Sequence, residues 1–141
     1  MTAGISLAGI LGAIRNIAAF VVVFGLLVFF HELGHFLAAK WSGVRVHEFA
    51  LGFGPSLFSK RLGETMYSIR IFPLGGFVRL AGMEPSEEPG GEDGAGTEDD
   101  ERAFYRRPAL HRIGILAAGP FMNFVLAAIV YTIILGGLVV T

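Results

Sequence analysis

The sequence of 141 residues contains no cysteine and has few charged side chains for its length. Without cysteine, a disulfide framework and a thiolate zinc site are both excluded, so any metal would need histidine and carboxylate ligands. Charged residues make up 16 % and hydrophobic residues 53 %, whereas an average soluble domain has about 25 % charged residues. A net charge of −1 argues against nucleic-acid binding. We therefore expect a membrane protein with no nucleic-acid partner.

The charges are concentrated in the middle of the chain. Ten of the 11 Lys and Arg residues lie between Lys40 and Arg112, and no charged side chain follows Arg112. The apolar run 17–39 has 23 residues, about 34 Å as a helix, which crosses a hydrocarbon core of about 30 Å. A second apolar run begins at Ile113. A cleaved signal peptide is the alternative for the first run. The positive-inside rule places the connecting segment in the cytoplasm.

This pattern divides the chain into four segments. Residues 1–43 hold an N-terminal segment and the first transmembrane helix, with Gly43 as the predicted helix stop. Residues 44–83 form a loop with a β-hairpin, and residues 84–101 form an acidic disordered linker that contains nine of the 12 acidic residues. Residues 102–141 hold a basic juxtamembrane segment and the second transmembrane helix. The predicted fold class is a membrane all-α protein with a small β element.

Within the loop, turn chemistry predicts where the hairpin reverses. We predict one strand over residues 64–72, a turn at residues 73–76 (Pro-Leu-Gly-Gly), and a returning strand over residues 77–80. The hairpin is unusually apolar for a cytoplasmic loop, which predicts association with the membrane. A small soluble β element is the alternative.

Three ionisable residues lie inside the first apolar run, in the sequence His31-Glu32-Leu33-Gly34-His35. Positions i and i+4 of a helix share one face, so both imidazoles can bind one ion. A catalytic zinc takes three protein ligands and a water, and Glu32 can act on that water as a general base. A charged residue at mid-bilayer costs about 2.5–3.5 kcal/mol and by default marks a functional site. The motif predicts zinc ligands at His31 and His35; hydrogen bonding to neighbouring helices is the alternative.

Asn123 is the one strongly polar side chain deep in the second apolar run. It shares a stripe with Ile115, Gly119 and Ala127, at four-residue steps that allow close helix approach. Asn123 is predicted either to bond between helices or to lie near the zinc water or the substrate backbone. The two remaining histidines, His47 and His111, are predicted to be ordinary surface residues.

Several motifs in this order resemble the site-2 protease family, and in particular the bacterial branch that regulates sigma factors by cutting anti-sigma factors within the membrane. The resemblance covers about residues 17–135. It is carried by His31 to Phe36, Gly52 to Pro55, Tyr67 to Arg70 with Phe72 to Val78, and Ala118 to Pro120 with Asn123-Phe124.

The resemblance implies a role for each matching residue. His31 and His35 would bind Zn²⁺, and Glu32 would be the catalytic acid and base. Residues 67–80 would form a membrane-associated β-hairpin beside the active site. Its edge would pair with an unwound substrate helix. Gly75 and Gly76 on the hairpin, and Asn123 on the second helix, are expected to contact the substrate.

The sequence departs from the family pattern in the third zinc ligand. The family has an Asp in a Leu-Asp-Gly setting on a third transmembrane helix, whereas the Asp residues here are Asp93, Asp99 and Asp100, all in the acidic linker. We therefore expect an N-terminal portion of such a protease. Its C-terminal remainder, or a partner chain, would supply the third ligand.

The leading prediction is an intramembrane zinc endopeptidase of the bacterial cytoplasmic membrane, with single-span membrane proteins such as anti-sigma factors as substrates. This chain alone is expected to be inactive. One alternative is a catalytically incomplete membrane module that binds client helices or the remainder of the protease. Another is a membrane-anchored protease for soluble peptides, which cysteine labelling at Phe30 and Phe36 would test by reporting the depth of the motif.

Overall fold

A computed structural model describes residues 6–83 and 101–140. It contains helix α1 (Leu7–Trp41), strand β1 (Val46–Leu62), strand β2 (Thr65–Leu80), a 3-10 turn (Phe104–Arg106) and helix α2 (Ala109–Val140). Two long apolar helices and one small antiparallel sheet confirm this part of the predicted fold class. The cytoplasmic placement of the loop and the four segment boundaries stay predictions. The predicted disordered linker lies outside the described residues, except for Glu101.

Helix α1 is continuous and includes the short apolar piece before Arg15. Ser6 caps its N-terminus, because the Ser6 Oγ accepts a hydrogen bond from the Gly9 backbone N–H at 3.2 Å. Its 35 residues give a length of about 52 Å. The helix ends at Trp41, and Gly43 follows with a φ of +71°, which a glycine adopts without steric cost. The predicted helix stop is therefore confirmed.

Helix α2 begins at Ala109 rather than at Ile113, so part of the predicted juxtamembrane segment forms its first turn. Pro108 directly precedes it, and a proline at a helix start removes no intrahelical hydrogen bond. Pro120 lies inside the helix. By length and composition, α1 and residues Ala109–Gly137 of α2 are both apolar enough to cross a membrane.

The two helices come into backbone contact at Gly34. A Cβ atom at Gly34 would lie 2.7 Å from the carbonyl carbon of Ala118, and closer still to its oxygen. A side chain at this position would therefore push α1 away from α2.

The contact stripe on α2 follows the prediction only in part. Ile115 and Gly119 are buried and Asn123 is half-buried, but Ala127 is exposed, so its predicted place in the stripe is wrong. Leu126 is buried instead. Each four-residue step turns about 40° past a full helical turn, so a three-residue step is needed to bring the contact back towards α1.

The hairpin reverses at Gly63-Glu64, between the paired residues Leu62 and Thr65. Gly63 has a φ of +63°, and glycine at the first position of a two-residue connection is typical of a type II′ turn. The predicted pairing of residues 64–72 with residues 77–80 is wrong. Residues 65–70 pair with residues 56–62, and residues 76–80 pair with residues 46–51. The chain does fold back at the predicted Pro-Leu-Gly-Gly turn, but the two parts of β2 on either side of it pair with β1 and not with each other.

The register shows that the hairpin also folds over on itself. Besides the antiparallel pairs, a second set joins Phe49 to Tyr67, Ala50 to Ser68 and Leu51 to Ile69. Because the partner numbers rise together in this set, these two segments run in the same direction. Segment 76–80 then lies at an edge of the folded sheet, and within the described part of the chain it pairs only with β1.

A charge cluster joins the hairpin turn to the segments next to both helices. Glu64 accepts hydrogen bonds from Arg102 at 2.7 and 2.9 Å and from Lys40 Nζ at 2.6 Å. These bonds, first from Arg102 and then from Lys40, lower the pKa of Glu64 to about 2. Arg102 and Arg107 also donate to the Gly43 carbonyl, at 3.3 and 2.6 Å. The buried core consists of Ala39, Val44, Val46, Leu80 and Ile115.

Candidate metal centre

Helix α1 places the two histidines of the motif one turn apart, on the side that contacts α2. Their Nε2 atoms are 3.2 Å apart. Two nitrogens bound to one tetrahedral zinc, each at about 2.0–2.1 Å, are separated by about 3.3 Å. His31 and His35 therefore have the spacing that a shared zinc ion requires.

Helix α2 supplies the partners of the opposite ring nitrogens. The Nδ1 atom of His35 lies 2.7 Å from the Ile115 carbonyl oxygen. Since a carbonyl only accepts, this nitrogen carries the proton, and Nε2 of the neutral ring keeps its lone pair. The Nδ1 atom of His31 lies 3.3 Å from Nδ2 of Asn123, whose Oδ1 is buried and has no hydrogen-bond partner among the described residues. Partners of this kind orient histidines in metal sites.

The space between the histidines depends on the missing side chain at Gly119. A Cβ atom there would lie 2.8 Å from His31 Nε2 and 2.7 Å from His35 Cε1, and closer still to His35 Nε2. This is the region that an ion bound by both Nε2 atoms would occupy. The two nitrogens and the cradle at Gly119 together fit half of a tetrahedral zinc site.

A third protein ligand is not found within residues 6–83 and 101–140. No group of three or more His, Cys, Asp or Glu side chains in these ranges could hold a metal ion. His47 lies in β1 and His111 in the first turn of α2, and neither belongs to such a group. The three Asp residues of the linker lie outside the described residues.

Glu32 contacts the edge segment of the sheet. A Cβ atom at Gly76 would lie 3.0 Å from Glu32 Cγ and 3.2 Å from Val28 Cγ1, so a glycine lets the sheet approach α1 at the motif. At Gly75 the neighbour is the ring of Phe53, whose Cζ would lie 2.9 Å from a Cβ atom. The structure thus brings Gly76, but not Gly75, beside Glu32.

Sequence reasoning proposed His31, Glu32, His35 and Asn123 but missed two contributions of α2. The Ile115 carbonyl belongs to the backbone, so no residue type reveals it. The open space at Gly119 had a signal, because a glycine one turn before a lone polar residue indicates close approach. That signal was interpreted as helix packing rather than as room for an ion.

The comparisons with known proteins agree on one family. The model described as peptidase family M50 matches residues 19–139. A Clostridium acetobutylicum protein named as a zinc metalloprotease is 42 % identical over 119 residues, which are 84 % of this chain and 32 % of that protein. The zinc metalloprotease RasP of Geobacillus kaustophilus is 60 % identical over 72 residues, 51 % of this chain and 17 % of that protein. The regulator of sigma-W protease RasP of Bacillus subtilis is 54 % identical over 72 residues, with the same coverage. The aligned region thus spans about a third or less of the length of these relatives.

Proposed function

Because the chain belongs to peptidase family M50, the site-2 proteases, we propose that it carries the zinc-binding helix and the catalytic carboxylate of an intramembrane endopeptidase. One observation carries the proposal: two Nε2 atoms lie 3.2 Å apart on a helix apolar enough to cross a membrane. His31 and His35 are the proposed zinc ligands, and Glu32 is the proposed catalytic residue.

Zinc, when bound, polarises the scissile carbonyl and lowers the pKa of water to about 7. Glu32 takes a proton from the attacking water and passes it to the leaving amine nitrogen. Proton transfer by a positioned side chain contributes about 10²–10⁴-fold to the rate. The hydrogen bond from His35 Nδ1 to the Ile115 carbonyl keeps the Nε2 lone pair available to the ion.

The sheet edge is the proposed binding site for the substrate backbone. Gly76 lies beside Glu32, and segment 76–80 has an outer side that pairs with no strand in the described residues. A peptide bond in a helix is shielded by its own hydrogen bonds, so an unwound segment added to this edge as a strand would present its peptide bond to Glu32. Gly75 and Asn123 are proposed as further substrate contacts.

The substrate class follows from the membrane setting and from the relatives. The Bacillus subtilis relative is named as a regulator of sigma-W, and an anti-sigma factor with one transmembrane helix is the proposed substrate of this protein. We place the enzyme in the bacterial cytoplasmic membrane. The connecting loop would face the cytoplasm, because ten of the 11 cations lie in it or at the adjoining helix ends, between Lys40 and Arg112.

The third zinc ligand is proposed to come from outside the described residues. Catalytic zinc sites use three protein ligands, and the described residues supply two. The C-terminal remainder of a longer protease, or a partner chain, would complete the site. The chain alone is then expected to be inactive.

The lack of a third ligand in the described residues also favours a second candidate function. The chain would act as a catalytically incomplete membrane module that holds client helices against the sheet edge or binds the remainder of the protease. In this case His31 and His35 would be dispensable for client binding.

The two functions are separated by zinc content and cleavage. The chain is purified in detergent as wild type, Glu32→Gln and His35→Ala, and each is co-expressed with a single-span reporter, alone and with the C-terminal portion of a family member. We expect Glu32→Gln to retain zinc but lose cleavage, and His35→Ala to lose both. Cleavage that persists in Glu32→Gln would refute the role of Glu32. A reporter that co-purifies uncut, equally with wild type and His35→Ala, would favour the binding module.

A further inference from the structure

The two histidines differ in what holds their rings. His35 donates from Nδ1 to a backbone carbonyl, whereas the neighbour of His31 Nδ1 is the carboxamide of Asn123. We propose that Asn123 is a positioning residue for His31: its Oδ1 accepts the Nδ1–H of His31 and thereby keeps Nε2 directed at the ion. This inference rests on the proposed zinc site and adds a residue to it.

The argument begins with the proton of the His31 ring. To bind a cation, Nε2 must be unprotonated, so the neutral ring carries its proton on Nδ1. A part-buried N–H in an apolar helix pair needs an acceptor, because an unpaired buried donor costs about 1–3 kcal/mol. In the described part of the chain, the side chain within hydrogen-bond distance of this nitrogen is that of Asn123, whose Nδ2 lies 3.3 Å away.

The carboxamide of Asn123 has an unused acceptor at this place. Its Oδ1 is buried and has no hydrogen-bond partner within residues 6–83 and 101–140, although Nδ2 of the same group lies against the ring. A half turn of the amide plane exchanges the two atoms. Oδ1 then accepts from Nδ1–H, which removes an unsatisfied buried oxygen and fixes the ring tautomer in one step.

The positions on α2 support the same assignment. The partner of His35 comes from residue 115, the cradle from residue 119, and the partner of His31 from residue 123, at successive four-residue steps along one side of the helix. Residue 115 contributes its backbone carbonyl, and residue 119 contributes the space left by its missing side chain. Asn123 is the partner that a substitution can remove without moving the helix backbone.

The test compares the zinc affinity of three variants of the full chain in detergent. At position 123 one variant keeps a hydrogen-bond acceptor and one has an apolar side chain, and the third variant is a control at another position. Asn123→Asp keeps the acceptor and Asn123→Leu removes it. Thr132→Val removes a polar group elsewhere on α2, an exposed hydroxyl that bonds to its own helix at 2.8 Å. Zinc affinity is measured by competition with a chromogenic chelator. We expect Asn123→Leu to weaken binding by about 10–100-fold, the usual cost of a lost outer-shell partner. Asn123→Asp should bind at least as tightly as wild type, and Thr132→Val should be unchanged.

A second measurement separates positioning from helix packing. In the zinc-loaded chain, the Nδ1–H proton of His31 should have a hydrogen-bonded NMR signal in wild type and Asn123→Asp that is lost in Asn123→Leu. The Nδ1–H signal of His35 should stay in every variant and serves as the internal reference. Equal zinc affinity in wild type and Asn123→Leu, or equal weakening in Asn123→Leu and Asn123→Asp, would overturn the positioning role alone. A wild-type chain that binds no zinc even when co-expressed with the C-terminal portion of a family member would overturn the zinc site and this inference together.

Discussion

The space at Gly119 leads to a specific prediction about metal binding. Replacing a glycine in a helix interior with alanine usually stabilises the helix by about 0.5–1 kcal/mol. At Gly119, however, the new methyl carbon would lie 2.8 Å from His31 Nε2, about 0.6 Å inside the 3.4 Å at which ordinary contact begins. We therefore expect Gly119→Ala to prevent zinc binding even though it improves helix propensity.

The magnitude follows from how little a metal site tolerates displacement. Ligand distances in a well-formed site are kept within about 0.2 Å. Relieving the contact at Gly119→Ala would displace the His31 Nε2 atom by about 0.6 Å, three times this tolerance. The methyl group would also take part of the space that the ion needs. The affinity loss should therefore exceed the roughly 10–100-fold that follows from losing an outer-shell partner.

The assay is zinc content per chain after gel filtration in detergent, for wild type, Gly119→Ala and Gly114→Ala. Gly114 is the matched control, because it lies on the same helix and a Cβ atom there would meet no atom of the described residues within 4 Å. Gly114→Ala should keep its zinc and unfold at the same or a higher temperature. If Gly119→Ala binds zinc as tightly as wild type, the ion does not lie between the two Nε2 atoms and the reasoning is refuted.

Three further predictions concern the helix contact, the charge cluster and the sheet edge. Gly34→Ala should lower the thermal unfolding midpoint because its methyl group would press on the backbone of α2, whereas Gly25→Ala, with open space, should not; equal midpoints would contradict the close contact. The pKa of Glu64, lowered from 4.5 to about 2, means that its ionised form stabilises the fold above about pH 4.5, and that this stability is lost as the pH falls towards 2. Wild type should therefore lose more thermal stability than Glu64→Gln between pH 6 and pH 3, and parallel curves would argue against the cluster. Gly76→Ala, whose methyl carbon would lie 3.0 Å from Glu32 Cγ, should slow reporter cleavage and leave zinc content unchanged; a normal cleavage rate would count against binding at this edge.

The parts of the molecule that were predicted correctly depend on local chemistry. The close approach of His31 and His35 follows from helix periodicity alone, because any helix brings positions i and i+4 together. The end of α1 follows from Gly43, where a glycine adopts a conformation that other residues avoid. Neither prediction needed knowledge of what packs against the helix.

The errors arise where distant segments decide the structure. The chain folds back at Pro73 and its neighbours as predicted, but the segments on either side pair with residues 46–62 and not with each other. Residues 46–62 carry interrupting glycines and a proline and were not predicted to be a strand. The two-residue turn that joins β1 to β2, Gly63-Glu64, has a signal of only one residue. Ala127 was placed on the contact stripe because four-residue steps were extended too far, and only the position of α1 shows where the three-residue step occurs.

Positions 115, 119 and 123 of α2, one helical turn apart, should therefore differ in which substitutions they tolerate. Residue 115 contributes a carbonyl, so Ile115→Val should cost about 0.5–1.5 kcal/mol of stability through lost packing and leave zinc affinity unchanged. Residue 119 contributes empty space, so even the smallest added side chain should remove zinc binding. Residue 123 contributes an acceptor, so the carboxylate of an aspartate should replace the amide while an apolar side chain of similar size should not. If all three substitutions lowered zinc affinity in proportion to their loss of stability, α2 would act on the histidines only by packing against them, and the separate roles given to the carbonyl, the cradle and the amide would be wrong.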